Sequence, residues 1–276
     1  MAKKNLSFIK MAGAGNDFLV MDAQKGVNYP KLAPTMCDRT AGVGADGLLI
    51  LDKSTSADYR MRIINADGSE AEMCGNGARC LAAYIVRAKK PRKKLFRIET
   101  LAGEILGQAQ GEVATVRLSD PKNYTAEIPL NVNGRNIHVH YIDTGVPHTV
   151  VYVEDLAAID VAGIGPSIRY HEQFKPRGTN ANFVEQINNG LVAVRTYERG
   201  VEDETRACGT GSVAAALVSY LKAHPGLTNQ KKAKMKVRTA STEILDIVFD
   251  LIDGKITNVW LTGSAKFIAE GKYFLR

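Results

Sequence analysis

Two cysteines stand in the same short frame, 134 residues apart: Cys74-Gly75-Asn76-Gly77 and Cys208-Gly209-Thr210-Gly211. Each leads into an apolar, alanine-rich run with the character of a helix. A thiol at a helix N-terminus lies in the positive end of the helix field, which favours thiolate. The glycines allow positive φ and leave room for a ligand close to the backbone. N–H groups of the first helical turn can hold a carboxylate. One such turn is a weak signal, because glycine caps are common and a lone cysteine there is often structural. Two in matching positions point to a specific reaction. If the halves face each other, two thiols look at one carbon from opposite sides. A thiolate removes the α-hydrogen of an amino acid, and the opposite thiol returns a proton and inverts the centre. Backbone donors of the two turns stabilise the charge that builds on the α-carboxylate. This chemistry needs no pyridoxal phosphate, and the sequence offers no convincing lysine site or phosphate cup for one.

The elements that must position these thiols also repeat. Gly42-Val43-Gly44-Ala45-Asp46 lies against Pro176-Arg177-Gly178-Thr179-Asn180 at the same offset. Strand-like Arg60 to Asn65 lies against Val194 to Arg199. Beyond the helices, Ile98 to Leu106 resembles Val237 to Leu245, and Gly111 to Val116 resembles Gly254 to Val259. Two copies of this length are too few and too long for a solenoid and read as homologous domains. A length of 276 residues agrees with about two domains. The expected division is residues 1–121 plus 265–276, carrying Cys74, and residues 122–264, carrying Cys208.

The periodicities give the order of elements. Leu6 to Lys10 and Phe18 to Met21 read as strands around a glycine-rich turn, followed by a helix over Tyr29 to Arg39 that starts near Pro30. Strands follow at Leu48 to Leu51 and Tyr59 to Ile64. The helix after Gly77 runs to about Arg87 and stops before Pro91. Strands fill Arg97 to Leu118. The second half repeats this order, with strands at Ile137 to Ile142 and Thr149 to Val153, a helical connection over Ile164 to His171, and strands near Phe183 and Val192. The Gly211 to Lys222 helix and strands from Met235 to Leu261 complete it. A last strand, Lys266 to Phe274, returns to the first domain. The fold class is α/β (α+β): two pseudo-symmetric domains, each a strongly curved, mostly antiparallel sheet or barrel wrapped around a central helix. The run Ala214 to Val218 leaves little polar face, so that helix is most simply buried.

Composition excludes several classes. The net charge of +7 comes largely from Lys89 to Lys94 and Lys231 to Lys236. Both clusters read as solvated connections, because no aromatic interleaving or binding motif supports a nucleic-acid face. No apolar run approaches the roughly 20 residues of a membrane span, and no signal-like stretch follows the basic N-terminus. A cytoplasmic location is expected. Four cysteines do not make a disulfide framework in an intracellular chain. Without a Cys-x-x-Cys pair and with five scattered histidines, no metal site is expected. Cys37 and Cys80 read as packed thiols.

Taken together, several motifs are similar to those of the diaminopimelate epimerases, over nearly the whole chain. They are Gly13-Ala14-Gly15-Asn16-Asp17-Phe18, Gly42 to Gly47, Asn65-Ala66-Asp67-Gly68-Ser69, Met73 to Cys80, Gly145-Val146-Pro147-His148, and Glu198-Arg199-Gly200 through Ala207 to Gly211. The resemblance implies a cofactor-independent isomerase that interconverts L,L- and meso-diaminopimelate in lysine and peptidoglycan precursor synthesis. Cys74 and Cys208 would be the base–acid pair. Asn16, Asn65, Asn180, Glu198 and Arg199 would contact substrate. Gly75, Asn76, Gly209 and Thr210 would supply N–H groups for the reacting carboxylate. Arg199 suits the distal carboxylate as a two-pronged donor, Glu198 can accept from the ammonium group, and His148 would support the centre. The implied partner is small-molecule substrate, with no nucleic acid or membrane and with a homodimer left open.

The chain departs from many relatives at Val146, where they carry asparagine, and at Gly47, where some carry glutamine. The chief alternative is a two-cysteine proline racemase or hydroxyproline epimerase, whose ring substrate has no distal carboxylate for Arg199. Phenazine-synthesis isomerases share the architecture but lack the paired cysteines. The non-enzyme alternative is a thiol redox switch.

Overall fold

The computed structural model describes residues 5–275. In chain order the elements are β1 (Asn5–Gly13), β2 (Asn16–Asp22), α1 (Tyr29–Met36), β3 (Gly47–Asp52), β4 (Tyr59–Asn65), β5 (Glu70–Ala71), α2 (Gly75–Lys89), β6 (Phe96–Thr100), β7 (Gly103–Gln110) and β8 (Val113–Arg117). They continue with β9 (Lys122–Val132), β10 (Arg135–Asp143), β11 (Pro147–Tyr152), α3 (Val161–Arg169), a 3-10 turn (Glu172–Phe174), β12 (Asn180–Asn188), β13 (Leu191–Glu198) and β14 (Asp203–Thr205). The last are α4 (Gly209–Ala223), β15 (Gln230–Arg238), β16 (Ile244–Ile252), β17 (Lys255–Ser264) and β18 (Lys266–Phe274). The chain divides into two compact units, Met1–Arg117 with Thr262–Arg276, and Leu118–Leu261.

Strand pairing repeats from one unit to the other. In the first, β1–β2 is antiparallel, β2–β3 parallel, β3–β4 antiparallel, β4–β6 parallel and β6–β7 antiparallel. In the second, β10–β11, β11–β12, β12–β13, β13–β15 and β15–β16 follow the same sequence of directions. Each parallel pair needs a crossover. The short ones are made by α1 and α3, and the long ones by α2 and α4, the helices that begin at the cysteines. The returning strand β18 pairs antiparallel with β1 from Asn5↔Phe274 to Ala12↔Lys266.

The cysteine helices are the centres of their units. Residues 75–85 of α2 and 209–220 of α4 are all buried. Helix α2 packs on β1, β2, β7 and β8 of its own unit, and α4 on β10 to β13 and β15 of its own. Both lack acidic residues in the first turn, and both carry lysine in the last, with Arg87 added in α2, where cations complement the helix dipole. Each fully buried leucine or valine on α4 contributes about 1.5–3 kcal/mol. Truncating Leu217, which has no exposed surface, to alanine would cost about 2–5 kcal/mol.

Three elements differ from expectation. Helix α1 ends at Met36 rather than Arg39, because the Cys37 N–H closes on Ala33 O and Asp38 Oδ1 takes the N–H groups of Thr40 and Ala41, turning the chain. The helical connection of the second unit is Val161–Arg169, started by Asp160, whose side chain accepts from Gly163 N; the residues up to His171 lie beyond it. Strand β9 carried no apolar alternation in its exposed first six residues and includes Pro129. It nevertheless pairs with β10, through two irregularities of register. Among the described residues no helix is long and apolar enough to cross a membrane.

Candidate active site

The two cysteine turns share one local design. Cys74 caps α2 with φ −144° and ψ 116°, and Cys208 caps α4 with φ −110° and ψ 114°. In each, the cysteine carbonyl accepts the first helical bond, from Ala78 N and from Ser212 N, both at 2.8 Å. The thiols therefore stand at helix N-termini, as the sequence frame requires. Their surroundings differ. Cys74 is half-buried, and its Sγ accepts from Gly77 N at 3.3 Å. Cys208 is buried, and its Sγ lies 3.5 Å from the Thr210 hydroxyl. Thr144 Oγ1 donates to Thr210 O at 3.1 Å and ties the second turn to the β10–β11 loop.

The second glycines differ in the space around them. A Cβ on Gly77 would come 3.0 Å from a Leu49 methyl, whereas one on Gly211 would come 2.3 Å from Asn182 Oδ1. Gly75, Asn76, Gly209 and Thr210 occupy the first turns of the two helices and are all buried.

In the first unit, Asn16, at the start of β2, meets the α2 turn. Its Oδ1 accepts from Asn76 Nδ2 at 2.7 Å, and its Nδ2 donates to Asp46 Oδ2 at 2.9 Å. Asn76 Oδ1 accepts from the buried Arg79 guanidinium at 2.9 Å. Asp46 is clasped by Arg39 at 2.7 Å, and Arg39 also grips Asp17 with both of its amino groups. Burial pushes the Asp17 carboxyl up, but hydrogen bonds from Arg39 and Lys10 outweigh it and hold the group below the usual carboxylate range. Asn65 is exposed at the end of β4 and bonds to Ser69 Oγ at 3.0 Å; no hydrogen bond links it to the Asn16–Asn76 group among the described residues. Gly47 starts β3 with no room for a side chain, since a Cβ there would lie 2.6 Å from Ile64 O. That accounts for glycine at this position.

In the second unit, β11, β12 and β13 bring together His148, Asn180, Glu198 and Arg199. Asn180 Oδ1 accepts from Arg199 N at 2.8 Å, and its Nδ2 donates to Pro147 O at 2.8 Å. Glu198 Oε2 accepts from Thr205 Oγ1 at 2.9 Å. The half-buried Arg199 side chain makes no ion pair with any described residue, yet its charge reaches His148 and Tyr141. His148 has no exposed surface, and burial followed by the Arg199 charge pushes its pKa down to about 3. It is therefore neutral at pH 7. Its tautomer follows from its neighbours. Asn182 Oδ1 accepts from Thr196 Oγ1, and Nδ2 donates to Thr149 O, which fixes the amide. The same Nδ2 lies 3.2 Å from His148 Nδ1, so Nδ1 accepts and Nε2 carries the proton. That buried Nε2 has no hydrogen-bond partner among the described residues.

Sequence reasoning passed over Asp46, Arg39, Arg79, Asn182 and Thr196. One signal was present: the repeat sets Asp46 opposite Asn180. Asn182 carried none, because its role depends on β12 lying beside β11. Cys37 and Cys80 are buried, and burial pushes the Cys37 thiol up to about 11, which makes it a poor nucleophile.

Each unit thus carries a cysteine at the N-terminus of its central helix, on a duplicated α/β framework. Solved structures agree on the fold. A hydroxyproline epimerase from Agrobacterium vitis with bound trans-4-hydroxy-L-proline matches with a TM-score of 0.75 at 15% identity, over 99% of this chain and 94% of that one. A phenazine biosynthesis protein of the PhzF family from Bacillus anthracis matches with a TM-score of 0.72 at 16% identity, over 99% of this chain and all of that one. Sequence is more specific. The family model for diaminopimelate epimerase matches residues 8–122 and 140–266. The diaminopimelate epimerase of Aquifex aeolicus is 41% identical over 97% of both chains, and that of Carboxydothermus hydrogenoformans is 38% identical over 98% of this chain and all of its own. The chain belongs to the diaminopimelate epimerase family, and it is an isomerase.

Proposed function

We propose that the chain interconverts L,L- and meso-diaminopimelate by a two-base mechanism without a cofactor, in the cytoplasm, on the route to lysine and peptidoglycan precursors. The observation that carries this reading is the matched pair of cysteine N-caps, with nearly the same ψ at Cys74 and Cys208, in a chain of this family. One sulfur starts as thiolate and the other as thiol. The thiolate forms an S–H bond with the α-proton, and the C–H electron pair passes toward the carboxylate. The second thiol then gives its proton to the opposite face of the α-carbon. The two sulfurs exchange protonation states, and no redox partner is needed.

The supporting residues follow from this step. N–H groups of Gly75, Asn76, Gly209 and Thr210 would hold the reacting carboxylate, where negative charge grows in the transition state. Arg199, supported by Asn65 and Asn180, would hold the distal carboxylate. The absence of an internal ion pair at Arg199 among the described residues supports that role, because a half-buried guanidinium without a carboxylate leaves its forked donors to an anionic ligand. Asn16 would contact substrate beside Asn76, Glu198 would accept from the ammonium group, and neutral His148 would act as a fixed donor through Nε2. Purified protein incubated with L,L-diaminopimelate should yield the meso isomer, resolved by chiral chromatography. Inversion of trans-4-hydroxy-L-proline with none of diaminopimelate would replace this reading with a cyclic-amino-acid epimerase.

A further inference from the structure

We propose that Asp46 is a positioning residue for the reaction. Together with Arg79 at the far end of the chain, it fixes which way the side-chain amides of Asn16 and Asn76 face, and so holds Asn16 as an N–H donor toward its ligand. The inference rests on the functional reading above for the identity of that ligand. The relay itself stands on hydrogen-bond chemistry.

An asparagine amide has an accepting end and a donating end, and a chain of amides can in principle run in either direction. Here both ends of the chain are locked. At one end a carboxylate oxygen of Asp46 accepts from Asn16 Nδ2 at 2.9 Å. At the other, the buried guanidinium of Arg79, which can only donate, reaches Asn76 Oδ1 at 2.9 Å. Between them Asn76 Nδ2 must donate to Asn16 Oδ1, at 2.7 Å. Reversing either amide would set carboxylate against carbonyl or N–H against N–H. The orientation of both is thus dictated by an acceptor at the start and a donor at the finish.

Asp46 is itself held from several sides. Its Oδ1 accepts from Arg39 at 2.7 Å, and its backbone N–H donates to Asp17 O at 2.9 Å. Its Oδ2 takes the Asp17 N–H at 3.2 Å in addition to the Asn16 amide. The carboxylate cannot swing away without breaking the β2–β3 entry. Half-buried Asn16 then keeps one N–H that no described residue accepts. The group it reads must be an acceptor, such as a substrate carboxylate oxygen.

The test compares Asp46→Asn, Asn16→Ala and the double variant by steady-state kinetics with L,L-diaminopimelate and by thermal melts. Asp46→Asn keeps the volume but replaces a fixed charged acceptor with an amide that can also present N–H to Asn16, so that only Arg79 still sets the direction of the chain. It should raise KM by about tenfold, the scale of one charge-assisted hydrogen bond, with kcat changed less. Asn16→Ala should also raise KM, and adding Asp46→Asn to it should cost little more. An Asp46→Asn enzyme with unchanged KM, or losses that simply multiply in the double variant, would overturn the proposal. Wild-type turnover scores the substrate reading separately. If the wild type fails to turn over diaminopimelate, or if Asp46→Asn does not fold, nuclear magnetic resonance of the wild type decides. The Asn16 side-chain amide, assigned by its loss in Asn16→Ser, should show one proton protected from exchange. Two equally fast-exchanging protons would overturn the relay.

Discussion

The two cysteine turns have the same backbone and the same strand order around them, yet they are supported by opposite kinds of chemistry. Beside Cys74 the β2–β3 entry is held by charges: Lys10, Asp17, Arg39 and Asp46 form a partly exposed ion network, with Arg39 Nη2 2.8 Å from Asp17 Oδ1. Beside Cys208 the β11–β12 entry, where His148 pairs with Asn180, is held by neutral groups with almost no exposed surface: His148, Thr149, Asn180, Asn182 and Thr196. Duplication supplied one frame, and each copy satisfied its buried polar groups differently. In the partly exposed network, loss of one ion pair costs little stability, since such pairs contribute little each. The neutral one is unforgiving, because a buried group that loses its partner pays the full desolvation cost.

The largest expected effect tests whether the turns act as a pair. Cys74→Ser and Cys208→Ser should each reduce epimerisation by about 10²–10⁴-fold, the scale of losing one general acid–base group, with melting temperatures near wild type. A large loss at one cysteine and near-normal turnover at the other would break the symmetry of roles. Next comes Arg199→Ala, which removes a charged partner and should cost about 2–5 kcal/mol in kcat/KM for diaminopimelate. Arg199→Lys should recover only part, because the fork is lost. An equal loss on a monocarboxylate amino acid would mean that Arg199 serves the catalytic machinery rather than the distal group.

The neutral network also predicts a pH dependence of stability. His148 is pushed down to about 3 in the folded protein, whereas an unfolded histidine titrates near 6.5. Between those values the unfolded state binds the extra proton, so stability is retained above about pH 6.5 and lost as pH falls toward 3, by up to about 1.4 kcal/mol per pH unit. Chemical denaturation at several pH values should show this slope, reduced in His148→Gln. His140, which burial also pushes down, supplies a remaining part. The smallest effects come from the paired glycines. Gly211→Ala drives a Cβ toward Asn182 Oδ1, while Gly77→Ala meets only a Leu49 methyl. The former should cost about 1–3 kcal/mol of stability, and the latter less. Equal costs in thermal melts would remove the claimed difference between the two networks.

How much of this was legible follows from what each feature depends on. The cysteine turns, their helices and the repeated strand order were readable because they are local patterns written twice. The strand at Lys266–Phe274 and its return to the first domain were readable, whereas its partner, β1, is supplied by the structure. Strand β9 was not readable, because its first residues are exposed and polar and take their conformation from β10. The end of α1 turned on a side-chain capping bond at Asp38 that no periodicity announces. Of the proposed site residues, Cys74, Cys208 and Arg199 were candidates from motif and residue type. Asn182 and Asp46 were not, because each acts through a neighbour that only strand pairing brings close.

One measurement bears most directly on two thiols serving one carbon. The enzyme is run with L,L-diaminopimelate in deuterated water, and substrate and product are isolated in the first few per cent of turnover for mass analysis. With separate donors on the two faces, the meso product should carry one deuterium at the inverted carbon while the recovered substrate carries essentially none. A single base returning the proton it removed would leave protium in the product, and that result would contradict the two-thiol mechanism.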